Sequence, residues 1–211
     1  MDFINLLLVG ISGVCWSLVY IDCIRTGFKQ KTYCMPLFAL GLNIAWEGLY
    51  AFTDLFVRRS VSAQAMANSV WFLLDIVIVV TWFLYGRREC RSDVERKCFV
   101  PWSVVVLLCC AAIQVLFYCE FGSVEGEKYS AFLQNIAMSV AFLYMLARHK
   151  SSKGQTMLIA VCKCIGTVTP TILGTLEGNT FILVTGIICF IFDAIYIVAL
   201  SYVRNKENKS I

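Results

Sequence analysis

The sequence predicts an all-α integral membrane protein: a bundle of seven transmembrane helices, N-terminus outside or lumenal, C-terminus cytosolic. Three observations carry this reading. The chain of 211 residues is 59% hydrophobic and only 15% charged, with a mean hydropathy of +0.75, whereas soluble domains are a little under half apolar. Repeated apolar runs of roughly 20 residues have the length that crosses a hydrocarbon core. Finally, 14 of the 18 Lys and Arg residues fall in alternate connections between those runs.

The first span, 3–21, has no basic segment before it and no small-residue cleavage site after it, so it reads as a retained helix rather than a signal peptide. The second, 35–54, carries Pro36 in its first turn. The third is 66–85, and the fourth, 101–118, starts on Pro101; both prolines sit where a helix tolerates them. The fifth is 129–147. The sixth, 156–175, holds an interior Pro170 with Gly166 and Gly174 one turn to either side, which predicts a kink. The seventh is 180–203. These spans consume most of the chain, so residues 1–211 read as a single domain. NIA recurs at 43–45 and 135–137, but the flanking residues do not match, and no internal repeat follows.

Orientation comes from the basic residues. Arg25, Lys29, Lys31, Arg87, Arg88, Arg91, Arg96, Lys97, Arg148, Lys150, Lys153, Arg204, Lys206 and Lys209 share one side; Arg58, Arg59 and Lys128 lie on the other. The positive-inside rule places the first group in the cytosol. Topology accounts for the net charge of +4, and nucleic-acid binding is not indicated. Most of the eleven cysteines lie within spans or at cytosolic ends, where thiols act as small hydrophobes. The sole histidine, His149, belongs to a basic loop. Neither a zinc site nor a disulfide framework is expected.

Four ionisable residues lie well inside the spans: Glu47, Asp75, Lys163 and Asp193. Each Asp or Lys costs about 2.5–3.5 kcal/mol at mid-helix, which makes such residues functional candidates by default. Helical spacing says what accompanies them. Asn43, Glu47, Tyr50 and Asp54 share one face of the second span, with Trp46 beside it. Asn68, Trp71, Asp75 and Trp82 form a stripe on the third. The seventh aligns Gly186, Cys189, Asp193 and Tyr196; the sixth aligns Lys163, Gly166, Thr167 and Pro170. The fifth contributes Asn135, Met138, Ser139 and Phe142, and the first Ser12, Trp16 and Tyr20. At about 1.5 Å per residue the three acids fall at similar depth on different helices and would line one chamber. An Asp75–Lys163 pair is as readily structural glue as part of a site. Trp82, Tyr85, Trp102 and Tyr202 read as interfacial anchors, and Asp22 and Asp54 as solvated span ends. With one deep cation for three acids, at least one carboxylic acid is expected to stay protonated.

The motifs NIAWEGLY (43–50), VWFLLD (70–75), QNIAMS (134–139) and FDAIY (192–196) resemble the seven-helix membrane terpene cyclases of fungal meroterpenoid and indole-diterpene biosynthesis, of the pyripyropene and paxilline type. The resemblance implies an enzyme that protonates the terminal epoxide of a prenylated aromatic substrate and steers a cation cascade, with no metal or other cofactor. It also implies that Glu47 and Asp193 are the essential acids, and an endoplasmic reticulum membrane if the source is eukaryotic. Trp46, Trp71, Tyr50 and Tyr196 offer electron-rich faces for a carbocation, Asn43 and Lys163 tune the acids, and Asp193, Asp75 or bound water could remove the final proton. The partners expected are a lipophilic epoxidised prenyl substrate and the bilayer.

Three other classes compete with this reading. A transporter of the PQ-loop kind needs Pro-Gln kinks in two repeats, and the chain has no Pro-Gln dipeptide. A rhodopsin-like receptor needs a lysine inside the seventh helix, which holds none. A sterol-isomerase-like enzyme, which protonates a lipid alkene with intramembrane acids, is chemically close. On the cyclase reading, Glu47→Gln and Asp193→Asn each abolish cyclisation while leaving expression intact; full product formation by both variants contradicts it.

Overall fold

Residues 3–209 are described by the computed structural model, and every regular element among them is helical. In chain order these are α1 (Phe3–Gln30), α2 (Leu37–Phe52), α3 (Ala63–Tyr85), α4 (Asp93–His149), α5 (Met157–Leu176) and α6 (Thr180–Lys209). A single π-helical turn, Thr53–Val57, prolongs α2, and a 3₁₀ turn, Gly86–Glu89, prolongs α3.

The 57-residue α4 is two helices. Gly122 breaks it with φ 74° and ψ 179°, a region open essentially to glycine alone. Across the break the chain doubles back. Gln114 and Gln134, about 30 Å apart on a straight helix, hydrogen-bond at 2.8 Å, and Arg148 reaches Glu95 at 3.0 Å. Residues 93–121 and 123–149 therefore form an antiparallel hairpin. From the sequence, 119–128 reads as a loop and the fourth span begins at Pro101. Instead helix runs to within one residue of the turn, and the first arm starts eight residues before Pro101, where the Ser92 hydroxyl accepts from the Glu95 amide at 3.1 Å. Ser62, Thr156 and Asn179 cap α3, α5 and α6 in the same way.

Five helices, α1, α3 with its 3₁₀ extension, α4, α5 and α6, are long and apolar enough to cross a bilayer. The surface agrees. On α6, Val184, Ile187, Ile191, Ile195, Val198 and Tyr202 are exposed along one stripe, while Gly186, Cys189, Asp193, Tyr196 and Leu200 point inward. Apolar side chains outside and polar ones inside invert the soluble pattern, as a lipid solvent requires. The chain is a multi-pass membrane protein. α2, with 16 residues and about 24 Å long, is shorter than a hydrocarbon core. It is wrapped by α3 and the α4 hairpin, with most of its residues buried.

Pro170 lies inside α5 as expected. It has no N–H to give the Gly166 carbonyl one turn earlier, and that carbonyl accepts instead from Ser12 of α1 at 2.8 Å. A neighbouring helix thus satisfies the backbone group that proline frees, which a lipid-embedded helix demands.

Gly122→Ala places a side chain in a backbone region that costs about 1–3 kcal/mol. The expected result is a lower melting temperature in detergent with no loss of helical circular dichroism at low temperature. An unchanged melting temperature contradicts the hairpin geometry.

Candidate active site

Asn43 and Glu47 sit one turn apart on the buried face of α2, as their i, i+4 spacing requires. Opposite them stand Tyr20 of α1 and Asp75 of α3, both almost completely buried. The Tyr20 hydroxyl donates a short hydrogen bond to Glu47 Oε1. Asn43 Nδ2 lies 2.5 Å from the Tyr20 hydroxyl, 2.9 Å from Asp75 Oδ2 and 3.2 Å from Glu47 Oε1. The Glu47 and Asp75 carboxyls share Asn43 Nδ2 as a common donor, which sets them side by side. Among the described residues no cation pairs with this group. Its remaining contacts are amides: Gln134 Nε2 donates to Asn43 Oδ1 at 3.4 Å, and Gln114 Nε2 donates to Gln134 Oε1 at 2.8 Å.

A cavity of about 340 Å³ opens beside the group, on the side away from the basic loops. Tyr20, Asn43 and Glu47 form its deep end; Trp16, Trp46, Trp71, Phe132 and Pro170 its walls; Gln64, Glu127 and Lys128 its rim. The indoles are pinned at their edges. Trp46 donates to the Glu127 carbonyl at 3.0 Å, and Trp71 to the Ser17 hydroxyl at 3.1 Å. Trp71 also stacks on Tyr20 with centroids 6.0 Å apart.

A larger cavity, about 550 Å³, lies at the other end of the bundle. Its acids are already matched: Glu95 pairs with Arg148 at 3.0 Å and Glu89 with Lys153 at 2.6 Å. It offers no unneutralised carboxyl, so the smaller cavity is the candidate site.

The third deep acid stands apart. Asp193 of α6 pairs with Lys163 of α5 at 2.7 Å, and Lys163 also donates to Ser139 of α4 at 2.6 Å. All three are fully buried and outside the lining of either cavity. The expected Asp75–Lys163 pair is therefore replaced by Asp193–Lys163, in keeping with α5 packing chiefly against α1 and α6. Tyr196 is buried against Phe142 at 5.5 Å, and Tyr50 against Trp46 at 5.5 Å; neither lines the site cavity.

Two expectations for span ends are corrected. Asp22 is buried, accepting from the Thr156 hydroxyl and from Arg25 at 3.1 Å, and so ties α1 to the start of α5. Asp54 is buried in the π-helical turn and pairs with Arg58 at 3.0 Å. Of the four proposed anchors, Trp102 and Tyr202 are exposed. Trp82 instead donates to Ser103 at 2.9 Å and stacks on Phe99, and Tyr85 packs edge-on against Phe28.

Sequence reasoning grouped Tyr20 with the polar face of α1 without linking it to Glu47, and passed over Gln114 and Gln134. The signal was present: two uncharged amides at membrane depth need partners as surely as acids do.

Breaking a buried ion pair by removing one partner costs about 3–5 kcal/mol. Asp193→Asn is therefore expected to lose folded yield and detergent melting temperature, contrary to the simple expectation of intact expression. The double replacement Lys163→Met with Asp193→Leu recovers most of the loss. A fully stable but inactive Asp193→Asn protein marks Asp193 as a chemical participant instead.

With the geometry in place, the relatives are informative. The sequence profile described as Pyr4-like transmembrane terpene cyclases matches residues 1–206. The chain is 29% identical over 161 residues to a protein named Pyr4-family terpene cyclase mfmH of Annulohypoxylon moriforme, a match covering 74% of this chain and 64% of that relative. It is 24% identical over 212 residues to terpene cyclase pyr4 of Aspergillus fumigatus, covering 94% and 86%. It is 25% identical over 171 residues to terpene cyclase andB of Emericella variicolor, covering 79% and 70%. No solved structure matches the chain.

Proposed function

We propose, starting from the fact that this chain belongs to the Pyr4-like transmembrane terpene cyclases, that it opens the epoxide of a lipophilic prenylated substrate by proton transfer from the Glu47–Asp75 pair and directs the cyclisation that follows. The observation that carries this is the pair itself: two carboxyls side by side in an apolar interior, held by Tyr20 and Asn43 with no cation. Adjacent carboxylates in such surroundings do not both ionise, and they share a proton.

Glu47 is the group facing the cavity, and Asp75 lies behind it. In the proposed step the proton passes from Glu47 to the epoxide oxygen. The C–O bond at the more substituted carbon breaks, and the oxygen leaves as a hydroxyl on the neighbouring carbon. The tertiary cation is attacked by the next alkene, and each ring closure moves the charge along the chain. The faces of Trp16, Trp46, Trp71 and Phe132 stabilise it, and the enclosing helices keep water from capturing it. Loss of a final proton to the carboxylate restores the acid, so product and substrate have equal mass. An epoxide opened by a carboxylic acid needs neither metal nor diphosphate.

Asp193, which the family resemblance names as the second acid, is assigned here to holding α5 to α6 through Lys163. The cavity volume is near the lower end of the usual range for ligand pockets, about 300–1,000 Å³, which favours a single prenyl chain with a small head group. The chain is proposed to span the membrane seven times, each α4 arm counted once and α2 the shortest span. The basic loops face the cytosol, and an endoplasmic reticulum membrane fits this reading.

The test is to supply membranes expressing the chain with an epoxidised prenyl-aromatic compound and its non-epoxidised parent. Cyclised product of unchanged mass is expected from the epoxide alone, and a chelator leaves the rate unchanged. Glu47→Gln is expected to lower turnover about 10²–10⁴-fold, the usual worth of a general acid, and Asp75→Asn to lower it less. Turnover of the parent alkene supports an isomerase-like protonation instead, and wild-type rates from Glu47→Gln remove the assignment.

A further inference from the structure

We propose that Gln114 and Gln134, on opposite arms of the α4 hairpin, are positioning residues that fix which way the Asn43 amide faces and so aim its N–H groups at the acid pair. The inference rests on the reading of Glu47 and Asp75 as the proton source.

A primary amide has an acceptor end and a donor end that are nearly equal in shape. For Asn43 the choice between them decides the chemistry of the site. With Nδ2 toward Glu47, Asp75 and Tyr20, the amide donates to the carboxyl oxygens. Turned over, its carbonyl oxygen would face those same oxygens, repelling any negative charge on them. Asn43 sits on a helix and has no means of setting this by itself.

The direction comes from a chain of amides with a fixed end. Gln114 Nε2 lies 3.3 Å from the carbonyl oxygen of Leu42. A backbone carbonyl only accepts, so Gln114 must present its N–H groups there. The same Nε2 gives its second hydrogen to Gln134 Oε1 at 2.8 Å. Gln134 is then obliged to turn its own Nε2 the other way, and it donates to Asn43 Oδ1 at 3.4 Å. Asn43 in turn is left with its Nδ2 facing the acids. Each amide dictates the next, from a backbone atom of α2 back to a side chain of the following residue.

The arrangement carries a cost that supports a specific role. Gln114 Oε1 is buried and has no hydrogen-bond partner among the described residues. A buried acceptor left unpaired is uncommon and destabilising. Packing alone would be served better by an apolar residue at 114. Both glutamines are buried, but only Gln134 lines the cavity; Gln114 stands behind it, and its link to the acids runs through Gln134 and Asn43.

The experiment uses purified full-length protein in detergent or lipid. The infrared carbonyl band of a protonated carboxylic acid is recorded and assigned by its loss in Glu47→Gln or Asp75→Asn. Gln114→Leu and Gln134→Leu are each expected to shift that band. Gln114→Leu is also expected to lower kcat about tenfold, the effect of losing one such hydrogen bond, with KM within about twofold because the lining is intact. If either single variant fails to fold, Gln114→Leu/Gln134→Leu, which removes both buried amides together, takes its place with the same readouts. A band and kcat unmoved by these changes overturn the positioning role. A wild-type protein with no protonated-carboxyl band overturns the shared proton itself, and with it the acid assignment beneath.

Discussion

Two carboxyls sharing one amide donor in a low-dielectric interior are the constraint from which most of this structure follows. Left alone, they would repel each other and resist insertion into the bilayer. What makes them tolerable is a set of neutral dipoles, the Tyr20 hydroxyl and the Asn43 amide, and those dipoles need partners in turn. Satisfying Asn43 requires Gln134, and satisfying Gln134 draws in Gln114. The two glutamines meet only because the α4 arms fold back on each other, and the arms fold back because residue 122 is glycine. A requirement on two acids near the middle of the membrane is thus transmitted to a backbone angle at the edge of the bundle.

The single deep cation is placed to leave that pair alone. Had Lys163 met Glu47 or Asp75, the result would be an ion pair with its acid held as carboxylate, useless as a proton donor. Lys163 instead meets Asp193, one charge against one, with Ser139 taking a second ammonium hydrogen. The bundle therefore holds two polar islands of opposite character: one ionic and closed, joining α5, α6 and the second α4 arm, and one without a cation, opening on a cavity. Separating them is what leaves room for the proposed acid function beside a buried ion pair in one small bundle.

The sequence made much of this legible. Apolar runs, basic loops and the depth of Glu47, Asp75 and Asp193 follow from composition and periodicity, and the i, i+4 relation correctly put Asn43 beside Glu47. The pairing between helices was not legible, because spacing along one helix says nothing about which helix faces it. That is why Lys163 was matched to Asp75, and why Tyr196 was placed in the chamber when it packs on Phe142. The hairpin was missed for a local reason: the polar stretch around Glu120 and Glu125 looks like a loop, yet these residues are good helix formers, and one glycine suffices for the turn. Asp22 and Asp54 were misjudged because nearness to a span end was taken for exposure, while the Thr156 cap and Arg25 cover Asp22 and the i, i+4 Arg58 covers Asp54.

The location of the acid on α2 resolves a difficulty that any membrane-embedded acid catalyst faces. A helix bearing Asn43, Glu47 and Asp54 is a poor candidate to lie against lipid, and it is also the one whose residues the proposed chemistry needs. The bundle separates the two demands. Long apolar helices, α1, α3, α5 and α6, present aliphatic stripes to the hydrocarbon, whereas the short α2 is enclosed by α3 and the α4 hairpin. Enclosure removes the need for α2 to be apolar or long enough to span by itself, and it surrounds the space beside Glu47 with aromatic walls. The shielding that makes the polar helix tolerable to the membrane is the shielding a carbocation requires, so a single packing arrangement serves both insertion and the proposed chemistry.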